Sequence, residues 1–214
     1  MNLASYIDHT ILKADCTTKD IRRVCDEAAQ YGFYAVCVPP FYVKYAASAL
    51  EGKPVKIATV IGFPMGYTTT PSKVEEIKRA IDEGADEVDA VVNLCAVKDG
   101  NWNFVMNDVD SMCTAAHMKG KSIKLILETG LLNDKEITRL CEIALEAGVD
   151  FVKTSTGFNG GGATLEAVQL IRKQVGDKVK IKASGGIRTR QDAERFIEAG
   201  ANRIGSSSGI DIVS

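Results

Sequence analysis

A single (β/α)8 barrel is the fold class this sequence predicts, and three observations predict it. Short apolar runs of strand length alternate with amphipathic stretches of helix length along the whole chain. Glycines at 32, 84, 148 and 200 each fall between a helical pattern and the next strand, where a helix-ending glycine belongs. The 214 residues hold eight such units as one domain, 1–214, with no linker or low-complexity segment between them. An open doubly wound sheet would instead carry a GxGxxG turn after its first strand, and none occurs.

The elements follow in order. A short run at 6–9 supplies the first strand candidate, and apolar runs at 35–38, 57–61, 87–92, 123–127, 151–154, 179–183 and 203–205 supply seven more. Between them the helical period is expected near 17–30, 40–50, 71–83, 103–119, 134–147, 163–175 and 189–199. The recurrence of Glu-Gly-Ala-Asp at 83–86 as Glu-Ala-Gly-Val-Asp at 146–150 and Glu-Ala-Gly-Ala-Asn at 198–202 indicates one reused unit.

Composition narrows the function. The chain is 45% hydrophobic and 25% charged, with a net charge of -2, and its basic residues are interspersed with acids. No basic stripe for a nucleic-acid backbone is expected. The six cysteines lack CxxC spacing and sit in apolar segments, which predicts reduced thiols in a cytoplasmic protein. No signal-like start and no run of membrane-spanning length is found, so neither secretion nor membrane insertion is expected.

Strand parity points to chemistry. Side chains at i and i+2 share a face, so Asp89 is expected to point into the barrel with Val91 and Asn93, while Val88, Ala90 and Val92 face the helices. The same parity turns Lys153 and Lys182 inward. A lysine attacks a carbonyl only when neutral, a second cation nearby favours the neutral form, and a carboxylate carries protons between them. Nucleophile, tuning cation and proton carrier together suit Schiff-base catalysis. The competing reading is structural: Lys153 and Lys182 as ion-pair partners of Asp89 and Glu128.

Anion-binding loops lie downstream. Gly185-Gly186-Ile187-Arg188 follows the seventh strand and Gly205-Ser206-Ser207-Ser208 the eighth, where barrels of this class most often hold a phosphate. Serine hydroxyls are expected to add donors there. The stretch 157–164 has the GxxxxG spacing of a P-loop, but Ala163 stands where the phosphate-binding lysine is required, which leaves a flexible loop able to cover a ligand. The two histidines, His9 and His117, form no zinc-type pattern with cysteines or acids, so neither a metal nor another cofactor is expected. His117 reads as a surface residue, and Cys37, with no histidine to activate it, as a buried thiol.

The motifs carry a resemblance. The segments Asp86-Glu87-Val88-Asp89, Lys153-Thr154-Ser155-Thr156-Gly157, Lys182-Ala183-Ser184-Gly185-Gly186-Ile187-Arg188-Thr189 and Gly205-Ser206-Ser207-Ser208 together resemble the deoxyribose-phosphate aldolases. Ile7-Asp8-His9-Thr10 and the Gly62-Phe63-Pro64 segment resemble that family as well. The resemblance implies a metal-free, cofactor-free class I aldolase that cleaves 2-deoxy-D-ribose 5-phosphate. It implies Lys153 as the Schiff-base lysine, Lys182 and Asp89 as tuning and proton-transfer residues, and Asp8 as support for Lys182. It implies a phosphate held against Gly157, Gly185, Gly186, Gly205, Ser206 and Ser207.

Two departures from the family pattern are visible. Some members have a basic residue where this chain has Phe158, and some carry a C-terminal tail ending in a tyrosine, whereas here Ser214 follows soon after the serine run. Proton transfer is then expected to rest on Asp89, Lys182 and water. A homo-oligomer, by default a dimer, is expected by analogy with other barrels. Another Schiff-base aldolase and a non-catalytic sugar-phosphate-binding barrel remain the alternatives.

Overall fold

Eight parallel strands close on one another in chain order: β1 (Ile7–Thr10), β2 (Ala35–Val38), β3 (Lys56–Ile61), β4 (Glu87–Val91), β5 (Ser122–Ile126), β6 (Phe151–Lys153), β7 (Lys180–Ser184) and β8 (Arg203–Ser206). The computed structural model describes residues 2–214. The ring is sealed where β8 pairs with β1, with Asp8 opposite Gly205. The helices between strands are α1 (Thr18–Tyr31), α2 (Val43–Ala49), α3 (Thr70–Asp82), α4 (Leu94–Lys98), α5 (Trp102–His117), α6 (Asp134–Glu146), α7 (Leu165–Val175) and α8 (Arg190–Glu198), and α9 (Gly209–Val213) follows β8.

Local chemistry explains the helix starts. Thr17 and Asn133 each form a capping box, with Asp20 and Glu136 three residues on. Thr164 and Thr189 cap α7 and α8 through their hydroxyls, which accept from Ala167 N and Asp192 N. Gly32, Gly84, Gly148 and Gly200, where helix ends were expected, all have positive φ.

The apolar core lies between the outer barrel face and the helices. Val88, Ala90, Val92, Val152, Ile181 and Ile204 all belong to it and are fully buried, each side chain worth about 1.5–3 kcal/mol for valine or isoleucine. The barrel interior is different in kind. A small cluster of Cys37, Ala58 and Val60 fills one part, and charged side chains fill much of the rest.

Two boundaries differ from the expectation for local reasons. The helix expected at 40–50 begins as a 3-10 turn over Pro40–Tyr42, since proline supplies no N–H to extend a helix backwards. The strand expected to run to residue 92 ends at Val91, and Asn93 caps the extra helix α4 by accepting from Ala96 N. Asn93 therefore does not continue the inward face. His117 lies near the C-terminus of α5, exposed, and pairs with Asp150 at 2.9 Å.

Candidate functional site

Parity along the strands brings four lysine or arginine side chains and three carboxylates into the barrel. Asp8 comes from β1, Glu87 and Asp89 from β4, Lys124 from β5, Lys153 from β6, Lys182 from β7 and Arg203 from β8. Each is nearly or fully buried, so none keeps its charge without a partner.

Asp89 is the hub. Its Oδ1 accepts from Lys124 at 2.9 Å, while its Oδ2 accepts from Lys153 at 2.9 Å and Lys182 at 2.8 Å. Lys182 also donates to Asp8 Oδ2 at 2.5 Å, and Arg203 donates to Asp8 Oδ1 at 2.8 Å. Deeper in the barrel, Lys124 pairs with Glu87, and Arg203 lies 3.4 Å from the same carboxylate. The Arg203 guanidinium stacks over the Tyr34 ring at 3.4 Å. The predicted residues Lys153, Lys182, Asp89 and Asp8 thus meet in one hydrogen-bonded cluster.

The cluster sets the charge of its members. Burial alone raises the Asp8 carboxyl, but Lys182, Arg203 and Lys124 outweigh it and hold the group at about 2. Burial likewise opposes the Asp89 anion, and Lys124, Lys153 and Lys182 override it, holding the carboxyl well below the usual range. The Lys182 ammonium is penalised by burial, yet Asp8 and Asp89 push it well above an ordinary lysine. Lys182 is a fixed cation and Asp89 a fixed anion in this state.

Above the cluster opens a cavity of about 590 Å³ at the C-terminal ends of the strands. Lys153 lines it, as do all six residues expected at the phosphate: Gly157, Gly185, Gly186, Gly205, Ser206 and Ser207. Lys13 and Arg188 add exposed positive charge to the wall. Phe158 meets Phe63 edge-on, with ring centroids 5.2 Å apart, and brings an aromatic surface to the same wall.

Four sequence-based expectations need correction or extension. Glu128 does not pair with Lys153 or Lys182; it accepts from Thr156 N at 3.1 Å, from the Thr156 hydroxyl, and from Asn159 Nδ2 at 3.1 Å. The segment 157–164 is tied down, because Asn159 Nδ2 also donates to Pro64 O at 3.0 Å and Ala163 N donates to Ser184 O at 3.0 Å. Gly162 lies so close to this neighbour that an added Cβ would sit 2.1 Å from Gly185 O. The Ser206 hydroxyl donates to Ile187 O at 2.6 Å and accepts from Ser208 N at 3.0 Å, so it braces two loops and is not a spare donor. Cys37 is buried as expected, and burial pushes its thiol up, against Lys182.

Sequence reasoning missed Lys124, Arg203 and Glu87. The signal was available, since Lys124 occupies the inward parity of its strand by the argument that placed Lys153. Attention to lysines followed by glycine and serine loops passed over lysines that only support others.

Comparison with known proteins adds a family. Residues 2–214 match the DeoC/LacD family aldolase profile. A deoxyribose-phosphate aldolase from Thermococcus gammatolerans is 54% identical over 215 residues, covering 100% of this chain and 96% of the relative. One from Bacillus mycoides is 53% identical over 214 residues, covering 100% of this chain and 95% of the relative. The solved tetrameric deoxyribose phosphate aldolase from Aeropyrum pernix superposes with a TM-score of 0.92 at 34% identity, covering 99% of this chain and 89% of that one.

Proposed function

Because the chain belongs to the DeoC/LacD aldolase family, we propose that it reversibly cleaves 2-deoxy-D-ribose 5-phosphate to D-glyceraldehyde 3-phosphate and acetaldehyde through a Schiff base on Lys153. One observation carries the assignment. Of the buried charged cluster, Lys153 is the member that lines the cavity, and the glycine and serine loops of β7 and β8 line the same space. A sugar phosphate with its phosphate at those loops has an amine within the same cavity.

The charge count supports Lys153 as nucleophile. Fully ionised, the interior holds four cations against three carboxylates, so one lysine can lose its proton without leaving a carboxylate in excess. Lys124 and Lys182 each bond two carboxylates, whereas Lys153 bonds one and shares that oxygen with Lys182. Arginine does not give up its proton. Lys153 is the amine whose neutral form breaks the fewest contacts.

The steps then follow. Neutral Lys153 adds to the open-chain aldehyde carbon, and loss of water leaves a protonated imine. The C3 hydroxyl gives up its proton, the C2–C3 bonding pair moves toward the iminium, and glyceraldehyde 3-phosphate departs. The resulting enamine takes a proton at C2, and hydrolysis returns acetaldehyde and the free amine. Asp89 Oδ2 bonds both amines, so a proton can pass between Lys153 and Lys182 by resting transiently on that one oxygen. No step in this scheme calls on a cofactor.

The same reading places the enzyme in the breakdown of deoxyribonucleosides, in the cytoplasm, as one domain and as a homo-oligomer. Its six free cysteines suit a reducing compartment, and no helix among the described residues is long and apolar enough to cross a membrane. The deciding assay is acetaldehyde release from 2-deoxyribose 5-phosphate with chelator present. Release supports the reading; cleavage only of pyruvate- or dihydroxyacetone-phosphate-derived aldols would replace it with another aldolase, and no cleavage at all with a binding protein.

A further inference from the structure

Glu128 stands apart from the cluster and has features that packing alone does not explain. Among the described residues it is the one non-glycine with positive φ, at 63°, a backbone state disfavoured for a side chain of its size. It is fully buried, and its donors are all neutral groups: the Thr156 N–H, the Thr156 hydroxyl and the Asn159 amide. Three hydrogen bonds satisfy this buried carboxyl, and all three come from the segment after β6, so its effect is to fix that segment.

Its partners show where it acts. Thr156 passes the contact on, since its hydroxyl oxygen accepts from Phe158 N at 3.1 Å across Gly157, whose φ is 84°. Thr156, Gly157 and Phe158 all line the cavity. Asn159 extends the same brace to Pro64 O. One carboxylate therefore shapes the turn after β6 that carries Gly157 to the cavity.

We propose that Glu128 is a positioning residue for phosphate recognition, holding the Thr156–Phe158 turn so that the cavity favours the phosphorylated sugar. The proposal rests on the aldolase reading above. The experiment compares kcat and KM on 2-deoxyribose 5-phosphate and on unphosphorylated 2-deoxyribose for the wild type, Glu128→Gln, Thr156→Val and Thr156→Ser. Glutamine keeps the size of Glu128 but turns an acceptor oxygen into a donor facing donors.

The expected result is a tenfold or greater fall in the preference for the phosphorylated substrate in Glu128→Gln, arising in KM. Thr156→Val should show the same fall and Thr156→Ser should restore the preference. An equal proportional loss on both substrates, a loss confined to kcat, or an unchanged preference would overturn the proposal. If Glu128→Gln does not fold, the Thr156 pair decides: a hydroxyl-dependent preference supports the positioning role and a hydroxyl-independent one overturns it. Wild type inactive on both substrates would overturn the aldolase reading together with this one, whereas an active wild type with unmoved preference overturns this one alone.

Discussion

Lys153 and Lys182 donate to the same atom, Asp89 Oδ2, at 2.9 and 2.8 Å. Sharing one oxygen places two amines of unequal standing side by side. Lys182 has a second carboxylate, Asp8, and is kept cationic by both; Lys153 has no second carboxylate contact and lies at the cavity.

The inequality has a chemical readout. Borohydride added with 2-deoxyribose 5-phosphate should reduce the imine and leave a stable mass increase on the peptide bearing Lys153. Label on Lys182 would reverse the two roles. Lys153→Ala should lose turnover altogether.

Replacing the hub should damage both fold and rate. Asp89→Asn leaves three buried lysines facing a neutral amide, a change expected to destabilise by about 3–5 kcal/mol. Turnover should fall while a phosphate-bearing inhibitor still binds, because the side-chain hydrogen bonds of Asp89 go to lysines and not to the loops proposed to hold the phosphate. Loss of inhibitor binding in a folded variant would show that the cavity depends on the hub.

Acid stability should report on Asp8. Its folded value of about 2 lies below the ordinary 3.8, so its contribution is complete above the unfolded value and disappears as pH falls through about 2. The shift corresponds to roughly 2 kcal/mol. Urea unfolding of Asp8→Asn should show its largest deficit at pH 7 and a smaller one near pH 3; a deficit that does not change with pH would deny the ionic origin.

Gly205 tests how closely Lys182 is packed. A Cβ there would meet Ser184 Cβ at 2.9 Å and Lys182 Cε at 3.0 Å. Gly205→Ala should cost about 1–3 kcal/mol in stability and, by displacing Lys182, on the order of a hundredfold in kcat. Full activity in steady-state assays would mean that Lys182 yields without consequence.

A second buried pair lies outside the barrel. Lys73 donates to Asp108 at 2.8 Å and to Val91 O at 3.0 Å, and burial pushes its ammonium down despite Asp108. Asp108→Leu alone should destabilise by about 3–5 kcal/mol by stranding the lysine. Lys73→Met combined with Asp108→Leu should recover most of that loss in urea unfolding, and additive losses would contradict this account.

Much of the architecture was legible because it is written in local periodicity. The strand parity that turned Asp89, Lys153 and Lys182 inward needed only the knowledge that β side chains alternate. The turn glycines announced the loops, and residues 185–188 and 205–207 of those loops line the cavity. Glu128 was visible in the sequence but its partners were not, because Thr156 and Asn159 are distant in the chain and reach it only when β5 and β6 pair.

By itself the sequence determined the alternation of elements, the inward face of each strand and the residue types available for chemistry, since these depend on neighbours within a few positions. Tertiary structure alone decided which charges meet. Asp8 lies 174 residues from Lys182 and 195 from Arg203, and only closure of β8 onto β1 brings them together. Closure also excludes water, and exclusion of water is what turns seven ordinary ionisable side chains into a cluster with one anion shared by three lysines.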